Sequence, residues 1–503
     1  MDKFGLWDVP FSSFCKLVGQ AANTEQIDEL KSKFPNVFID RMGLCTKTEV
    51  QFTLKSDVRP VFRPKRPVSY SMESVVADEL KRLEGKGIIS PVSYADWAAP
   101  IVVVRKPDRS VRICADFSTG LNDALESNNY PLPLPEDIFN RMAGCTMFSH
   151  IDLSDAYLQV PVAEESKKLV TINTHLGLYQ YNRLPPGIKS GPGAFQQIMD
   201  AMLTGISCTT PFIDDILVGG RTPEEHKRNL HLTLQRMEEY GFTVKIQKCR
   251  FFMRQVKYLG QLLDSQGIRP DPDKVKAIVN MPPPHDVSSL RSYLGAVNYY
   301  GKYIREMRNL RQPLDALLKE NSTFQWTQAC QLSFDRFKEI LQSPLMLTHY
   351  NPRFPIVVSA DASNVGIGAR IAHRFPDGLE KAVYHAFRSL TPAESRYSQI
   401  EKEALGLIFA VTKFHRMIYG RQFVLQTDHK PLLAIFGFKR GITPYTANRL
   451  QRWALTMLLY EFRIEYISTD HFGHADILSR LINSHIKPDE DYVIASIEIE
   501  KVI

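Results

Sequence analysis

The residues of this chain best able to do chemistry are carboxylates set at the edges of apolar runs. At 211–220 it reads PFIDDILVGG, with Asp214 and Asp215 side by side. Two short apolar strands joined by an Asp-Asp turn would make a β-hairpin, because Asp tolerates the backbone angles of such turns. On that reading the acids are only solvated. Two carboxylates on a rigid hairpin also concentrate negative charge and offer hard oxygen ligands to Mg²⁺. The metal reading needs another carboxylate. SHIDLSDAYLQVPV (149–162) has one: Asp152 ends an apolar strand, and Ser154 and Asp155 are helix-starting types. A carboxylate beside free backbone amides suits a metal-bound triphosphate, with the acid on the ion and the amides on phosphate oxygens. Taken alone, Asp152 is better explained as a turn cap.

A second acidic set lies towards the C-terminus. PIVVSADASNVGIGARIA places Asp361 at a strand's end, and FVLQTDHKPLLAIF does the same for Asp428. IEKEALGLIFAVTKF is a helix with Glu401 and Glu403 near its start, and GHADILSRL opens a final helix with Asp476. Single acids at such places are usually caps. Four that could converge suggest another Mg²⁺ site. Helix geometry leaves Glu401 and Glu403 equivalent, because both are flanked by apolar residues.

The elements that must position these acids are mixed. A charged amphipathic helix is expected over Ser71–Lys86, with Val75, Leu80 and Leu83 on its apolar side. Strands are expected at Ala99–Arg105, Val111–Asp116 and Met147–Asp152, and helices at Gly193–Leu203 and Pro223–Tyr240. Without regular βαβ alternation, this is an α+β pattern. A helical stretch follows MPPPH (281–285) from Val287 to about Leu341, and strands restart at Ile356. With 503 residues, two to four domains are expected. The divisions read as a connector at 1–60, a first folded region at 61–262, a mostly helical region at 263–345, a second folded region at 346–482 and a tail at 483–503.

Lys+Arg number 62 against 55 Asp+Glu, a net +7 that permits a nucleic-acid partner without requiring one. The seven cysteines are scattered, odd in number and without a CxxC pair, which argues against a disulfide framework or structural zinc and for a reducing compartment. No apolar run is long enough to span a bilayer, so no membrane partner is expected.

Together, Asp152, the Asp214–Asp215 pair and LPPGIKSGPGAFQQIMD between them stand in an order that resembles the reverse transcriptase of gypsy-type long-terminal-repeat retrotransposons. ADWAAPIVVVRKPD, ADFSTGLN, GFTVKIQKCRFF and KYLGQLLDSQGIRPDPDKVKAI fit the same pattern, and the resemblance runs from about Leu30 to Leu481. Several motifs in order are far more specific than one acidic pair. The resemblance implies an α+β multidomain fold: a right-hand polymerase with fingers, palm and thumb, then a helical connection and a ribonuclease H-like domain.

By resemblance, Asp152 and Asp214 bridge two metal ions and Asp215 supports them. Tyr157 lies under the incoming sugar and selects deoxynucleotides. Arg112 contacts the triphosphate, as does Lys106 or Arg105; the motif does not separate those two. Gly187 lets the backbone approach nucleotide and template, while the neighbouring Pro186 departs from the aromatic residue or glutamine usual there. Lys248 resembles the lysine proposed to protonate pyrophosphate, and reads equally as a surface lysine. The second set resembles the ribonuclease H domain fused to such polymerases, with Asp361, Glu403, Asp428 and Asp476 as metal ligands; the family pattern picks Glu403. Retroviral relatives carry a histidine near the position of Tyr466, and His471 and His474 lie close by. The implied cofactors are two Mg²⁺ per active site, with Mn²⁺ as a substitute. The implied partners are RNA template, DNA primer, RNA–DNA hybrid and dNTPs, and a homodimer stays open. With no Asp-Thr-Gly, zinc-knuckle or integrase-finger motif, the expectation is one portion of a polyprotein that also encodes protease and integrase, working in the cytoplasm within a virus-like particle or in the nucleus. A remnant that binds nucleic acid without catalysis is the alternative, and the seven intact acids argue against it.

Overall fold

Strand alternation and helix periodicity lay out the frame on which the acids sit. The computed structural model describes residues 24–105, 111–319, 322–364, 366–437 and 448–467. They fall into two units, divided in the chain between Val256 and Lys257.

The first unit holds a helix at residues 24–33 (α1), α2 (Tyr70–Gly85), β1 (Ile89–Val92), β2 (Ala99–Arg105), β3 (Val111–Ala115), β4 (Met147–Asp152), β5 (Thr171–Thr174), β6 (Gly177–Tyr181), α3 (Gly191–Leu203), β7 (Thr209–Phe212), β8 (Asp215–Gly220), α4 (Pro223–Tyr240) and β9 (Arg250–Met253). One sheet runs β1-β6-β5-β2-β3 and a second β7-β8-β4-β9. Helix α4 shows why sequence and structure agree here. Thr222 caps it by accepting from Glu225 N–H, Pro223 occupies the first turn, and Gly241 ends it at φ +82°. Its buried residues His226, Asn229, Leu230, Thr233, Leu234 and Met237 recur at three- and four-residue steps, one face of a helix.

Two expectations are corrected. Helix α2 buries Val76, Leu80 and Leu83, whereas Val75 is 38% exposed. Leu80 and Leu83 thus lie on the buried side as expected, and Val76 takes the place expected for Val75. Residues 24–60, expected to act as a connector, instead give Leu30, Phe34, Val37, Cys45, Val50 and Phe52 to the unit's core. Backbone bonds stitch this stretch down, with Leu44 N donating to Gly241 O and Val50 N to Pro161 O.

Strands β10 (Gln255–Tyr258), β11 (Gln261–Asp264) and β12 (Ile268–Pro270) form a small sheet in that order, with β11 and β12 antiparallel. Four helices follow: α5 (Pro272–Val279), α6 (Val287–Tyr299), α7 (Met307–Ala316) and α8 (Gln328–Gln342). The single helical stretch expected from Val287 is thus broken, first by a 3₁₀ turn at Gly301–Tyr303. Then come β13 (Ile356–Ala362), β14 (Gly366–Arg374), β15 (Glu380–Ser389), α9 (Gln399–Lys413), β16 (Gln422–Thr427), α10 (Asn448–Met457) and β17 (Glu461–Tyr466). Their sheet is ordered β15-β14-β13-β16-β17, antiparallel through β13 and parallel from β13 to β17. Val358 and Ala360 of β13 pack with Ala404, Leu407 and Val411 of α9 in one core. The six described cysteines are free. Among the described residues, no helix is long and apolar enough to cross a membrane.

The burial pattern of α2 is testable. Leu80→Ala should cost about 2–5 kcal/mol of stability by emptying a fully buried site. Val75→Ala should change it by no more than about 0.5 kcal/mol, as a surface substitution does. Urea denaturation of the two variants, followed by tryptophan fluorescence, checks both values.

Candidate active sites

The first acidic cluster is set by strand register. β4 and β8 run antiparallel with Asp152 directly opposite Asp215, and Phe212 of β7 pairs with Asp215 of β8. The two-residue turn is therefore Ile213–Asp214, not the Asp-Asp turn expected, and Asp215 is the first residue of a strand. Ile213 sits at φ +55°. A β-branched side chain is strained there, at a cost of about 1–3 kcal/mol. Gln196 of α3, wholly buried, holds the turn in place. Its Oε1 accepts from Ile213 N–H at 2.8 Å, and its Nε2 donates to Pro211 O at 3.1 Å. Gln196 lies inside LPPGIKSGPGAFQQIMD, yet nothing in the segment's pattern marks it as the turn's anchor.

The cluster is short of positive charge. Asp214 projects at the exposed tip of the turn, yet its carboxyl is raised above the ordinary aspartate value. Desolvation by the surrounding groups is the main cause, and the charges of Asp215 and Asp152 add to it. Asp152 Oδ2 accepts from Lys248 Nζ at 3.0 Å, while Asp152 Oδ1 is buried with no hydrogen-bond partner. His150, two residues before Asp152 on the same strand face, has Nε2 2.8 Å from Asp215 Oδ1. A buried, orphaned carboxylate oxygen beside a second carboxyl that resists ionisation fits a hard divalent cation. Among the described residues, no three His, Cys, Asp or Glu side chains converge on one cation position as they stand.

The other expected residues of this region are placed as follows. Tyr157 packs its ring on Phe195 at 5.1 Å between centroids. Burial, then the charge of Asp214, pushes its hydroxyl up to about 12. Gly187 has φ +97°, and a Cβ there would stand 3.0 Å from Ala115 O. Both the dihedral and the close approach to β3 call for glycine. Asn122 fixes this loop from both sides, donating to Gly187 O at 3.0 Å and accepting from Lys189 N–H at 2.9 Å. Arg112 is exposed on β3, opposite Val104 of β2. Arg105 ends β2 with its guanidinium on Met72 Sδ at 2.7 Å. Lys106 lies outside the described residues.

The second cluster is built differently. β13 and β16 are parallel, with Ser359 beside Gln426, so Asp361 and Asp428 arrive level at the same end of adjacent strands. Helix α9 brings Glu403 to them. Its carboxyl is raised well above the ordinary value, by burial first and then by the charges of Asp361 and Asp428. Gln399 Nε2 donates to Glu403 Oε1 at 2.6 Å. Glu401 does other work: it forms a capping box with Ser398 at the start of α9 and pairs with Arg449. The choice that helix geometry left open is thus made by packing, and Glu403 is the acid facing Asp361 and Asp428. Asp476, His471 and His474 lie outside the described residues.

Comparison with known proteins identifies the regions that carry these clusters. Residues 104–263 match the family model described as reverse transcriptase (RNA-dependent DNA polymerase). Residues 326–425 match that of the RNase H-like domain found in reverse transcriptase. The chain is 43% identical over 302 residues to an uncharacterized protein of Caenorhabditis elegans, covering 59% of this chain and 24% of that one. It is 28% identical over 490 residues to a retrovirus-related Pol polyprotein from transposon 412 of Drosophila melanogaster, covering 92% of this chain and 39% of that one. The chain therefore spans well under half the length of these two relatives. Among solved structures, the foamy viral protease-reverse transcriptase in complex with dsDNA superposes at TM-score 0.77 with 19% identity, covering 92% of this chain and 98% of that chain. The same protein in complex with RNA/DNA hybrid gives TM-score 0.75 at 18% identity, covering 95% and 65%. These likenesses establish the right-hand polymerase and ribonuclease H-like fold expected from the sequence. Residues 104–263 belong to the reverse transcriptase family and residues 326–425 to the RNase H-like family found with it, which places the chain among the reverse transcriptase–ribonuclease H regions of retrotransposon Pol polyproteins.

Proposed function

We propose that this chain is an RNA-directed DNA polymerase of the gypsy type that copies RNA into DNA and cleaves the RNA strand of RNA–DNA hybrids, in two separate sites. The observation that carries the reading is Asp152 directly opposite Asp215 across two strands, with Asp214 next to it in a strained turn and Asp152 Oδ1 buried and unpartnered. Asp152 and Asp214 would hold Mg²⁺ in the first site, with Asp215 in support. Asp361, Glu403, Asp428 and Asp476 would hold it in the second. When bound, such ions activate the attacking oxygen and neutralise charge on the leaving one.

The chain's own groups do the rest. Tyr157, half-buried against Phe195, would close the space beneath the sugar, so that a ribonucleotide's 2′-hydroxyl collides with it. Arg112, exposed on β3, would meet the triphosphate, with Arg105 or Lys106 beside it. The Gly187 loop, fixed by Asn122, would let the backbone approach nucleotide and template. Lys248, whose Nζ pairs with Asp152, would give a proton to departing pyrophosphate. The foamy viral complexes with dsDNA and with RNA/DNA hybrid support a primer–template and a hybrid as partners. The relatives' greater length supports release from a larger polyprotein. The working division we assign is fingers and palm at 61–262, thumb and connection at 263–345 and ribonuclease H-like domain at 346–482.

The deciding assay is Mg²⁺-dependent dNTP incorporation on a DNA-primed RNA template. The unaltered chain should extend the primer. Asp152→Asn and Asp214→Asn should each reduce extension on the order of 10³-fold or more, while leaving cleavage of a preformed hybrid intact. Loss of both activities with an unchanged melting curve would contradict two separate sites.

The raised carboxyl of Glu403 gives a pH prediction. A carboxyl raised in the folded state stabilises the fold fully below its unfolded value, about 4.3, and that contribution is lost as pH rises through the folded value. In EDTA, Glu403→Gln should therefore melt higher than the unaltered chain at pH 7–8, and the gap should close below about pH 4. Mg²⁺ should narrow the gap at pH 7–8, because the cation offsets the repulsion that the variant removes. Scanning calorimetry across pH measures all three.

A further inference from the structure

Asp361 does not stand alone at the end of β13. Arg308, from helix α7 well before the sheet begins, reaches it with a partly buried side chain, 12% exposed. Its Nη2 donates to Asp361 Oδ2 at 2.9 Å. Its Nη1 donates to the main-chain oxygens of Asp361 at 3.1 Å and of Gly366 at 3.2 Å. One planar guanidinium thus fixes the carboxylate, the strand end and the first residue of β14 together, which a flexible ammonium would not do. Asp361 is itself half-exposed, and its Oδ1 takes no part in the fork.

The sheet is built around this arginine. Gly366 does not have a left-handed backbone, so its conformation alone does not demand glycine. The space does: a Cβ there would stand 2.9 and 3.1 Å from Arg308 Cγ and Cδ, and 2.8 Å from Arg388 O. From the other side, Lys402 Nζ, on a buried side chain of α9, donates to Asn364 Oδ1 at 3.0 Å. The chain just past Asp361 is therefore gripped both by the sheet's own helix and by α7.

We propose that Arg308 is the positioning residue of the second acidic site: by holding Asp361 Oδ2 and the strand end it presents Asp361 Oδ1 for a divalent cation, so that the site includes helix α7 as well as the sheet. This rests on the hydrolytic reading given above. It also explains why a basic group is useful beside carboxylates that repel one another. Residues that orient a metal ligand change metal affinity or activity by about 10–100-fold when removed.

The test uses the full chain carrying Asp152→Asn, so that the first cluster does not compete for metal. Mn²⁺ binding is followed by electron paramagnetic resonance, with Asp361→Asn as the reference for a lost site. Arg308→Ala should weaken Asp361-dependent Mn²⁺ binding about tenfold, and Arg308→Lys, which keeps the charge and loses the fork, should fall between. In the otherwise unaltered chain, Arg308→Ala should lower hybrid cleavage about 10–100-fold and raise the Mg²⁺ needed for half-maximal rate, with primer extension unchanged. A cavity of about 850 Å³ lined by Arg305, Asp361, Arg370, Glu380 and His385 opens beside Arg308. Added ethylguanidinium should enter it and restore part of the cleavage lost in Arg308→Ala. Gly366→Ala, which displaces the arginine from the opposite side, should move metal binding in the same direction.

Unchanged or tighter Mn²⁺ binding in Arg308→Ala overturns the proposal. So does loss of cleavage that comes with a lowered melting transition and no guanidinium rescue, since that marks a purely structural arginine. If Mn²⁺ binding depends on Arg308 but the unaltered chain cleaves no hybrid, the hydrolytic reading fails and the positioning role stands.

Discussion

Repulsion between carboxylates is the constraint from which the rest of both sites follows. Two unit charges about 4 Å apart cost about 4 kcal/mol at an effective dielectric of about 20. A chain that brings three such groups together must hold them by covalent and hydrogen-bonded structure, because the groups themselves push apart. The raised carboxyls of Asp214 and Glu403 are the record of that conflict, each lifted by desolvation and by its acidic neighbours. A cluster of this kind gains more from a cation than a solvated acidic patch would, because water already screens the patch.

The two units meet the constraint with opposite strand geometries. In the first, an antiparallel pair puts Asp152 and Asp215 face to face, and a two-residue turn adds Asp214 at the tip. Such a turn would be soft on its own. The buried Gln196 stiffens it from α3, and that support lets Ile213 persist at a dihedral it would otherwise avoid. In the second, parallel strands deliver Asp361 and Asp428 to one edge, and the third acid must come from a helix that crosses the sheet. There the burial that packs α9 on β13 is the same burial that raises Glu403.

What the sequence made legible follows from how local each determinant is. Strands β2 and β4 and helix α4 read correctly to the residue, because periodicity, Pro223 and Gly241 act within a few positions. The turn register was misread by one residue because Asp favours turns and isoleucine does not. The preference was overruled by Gln196, 17 residues away. Which of Val75 and Val76 is buried in α2 was not legible from two adjacent valines, and the burial of residues 24–60 depends on partners far along the chain, such as Gly241. The acids themselves were visible because several motifs in order are specific where one is not. The basic and amide groups that hold them were not visible, since a lone Gln or Arg inside a helix carries no local signature.

That asymmetry has a physical reason. An acid that must meet a cation is restricted in type and, at a strand's end, in position. A residue that orients it is restricted only by reach. Lys248 comes to Asp152 across 96 residues and Arg308 to Asp361 across 53. Their partnership differs too. Lys248 is exposed and offers a single ammonium on a long stem, whereas Arg308 is mostly buried and offers a planar fork. One basic group beside each cluster therefore answers the same repulsion in two ways, the first with a point charge at the surface and the second with a fork that also grips the strand end.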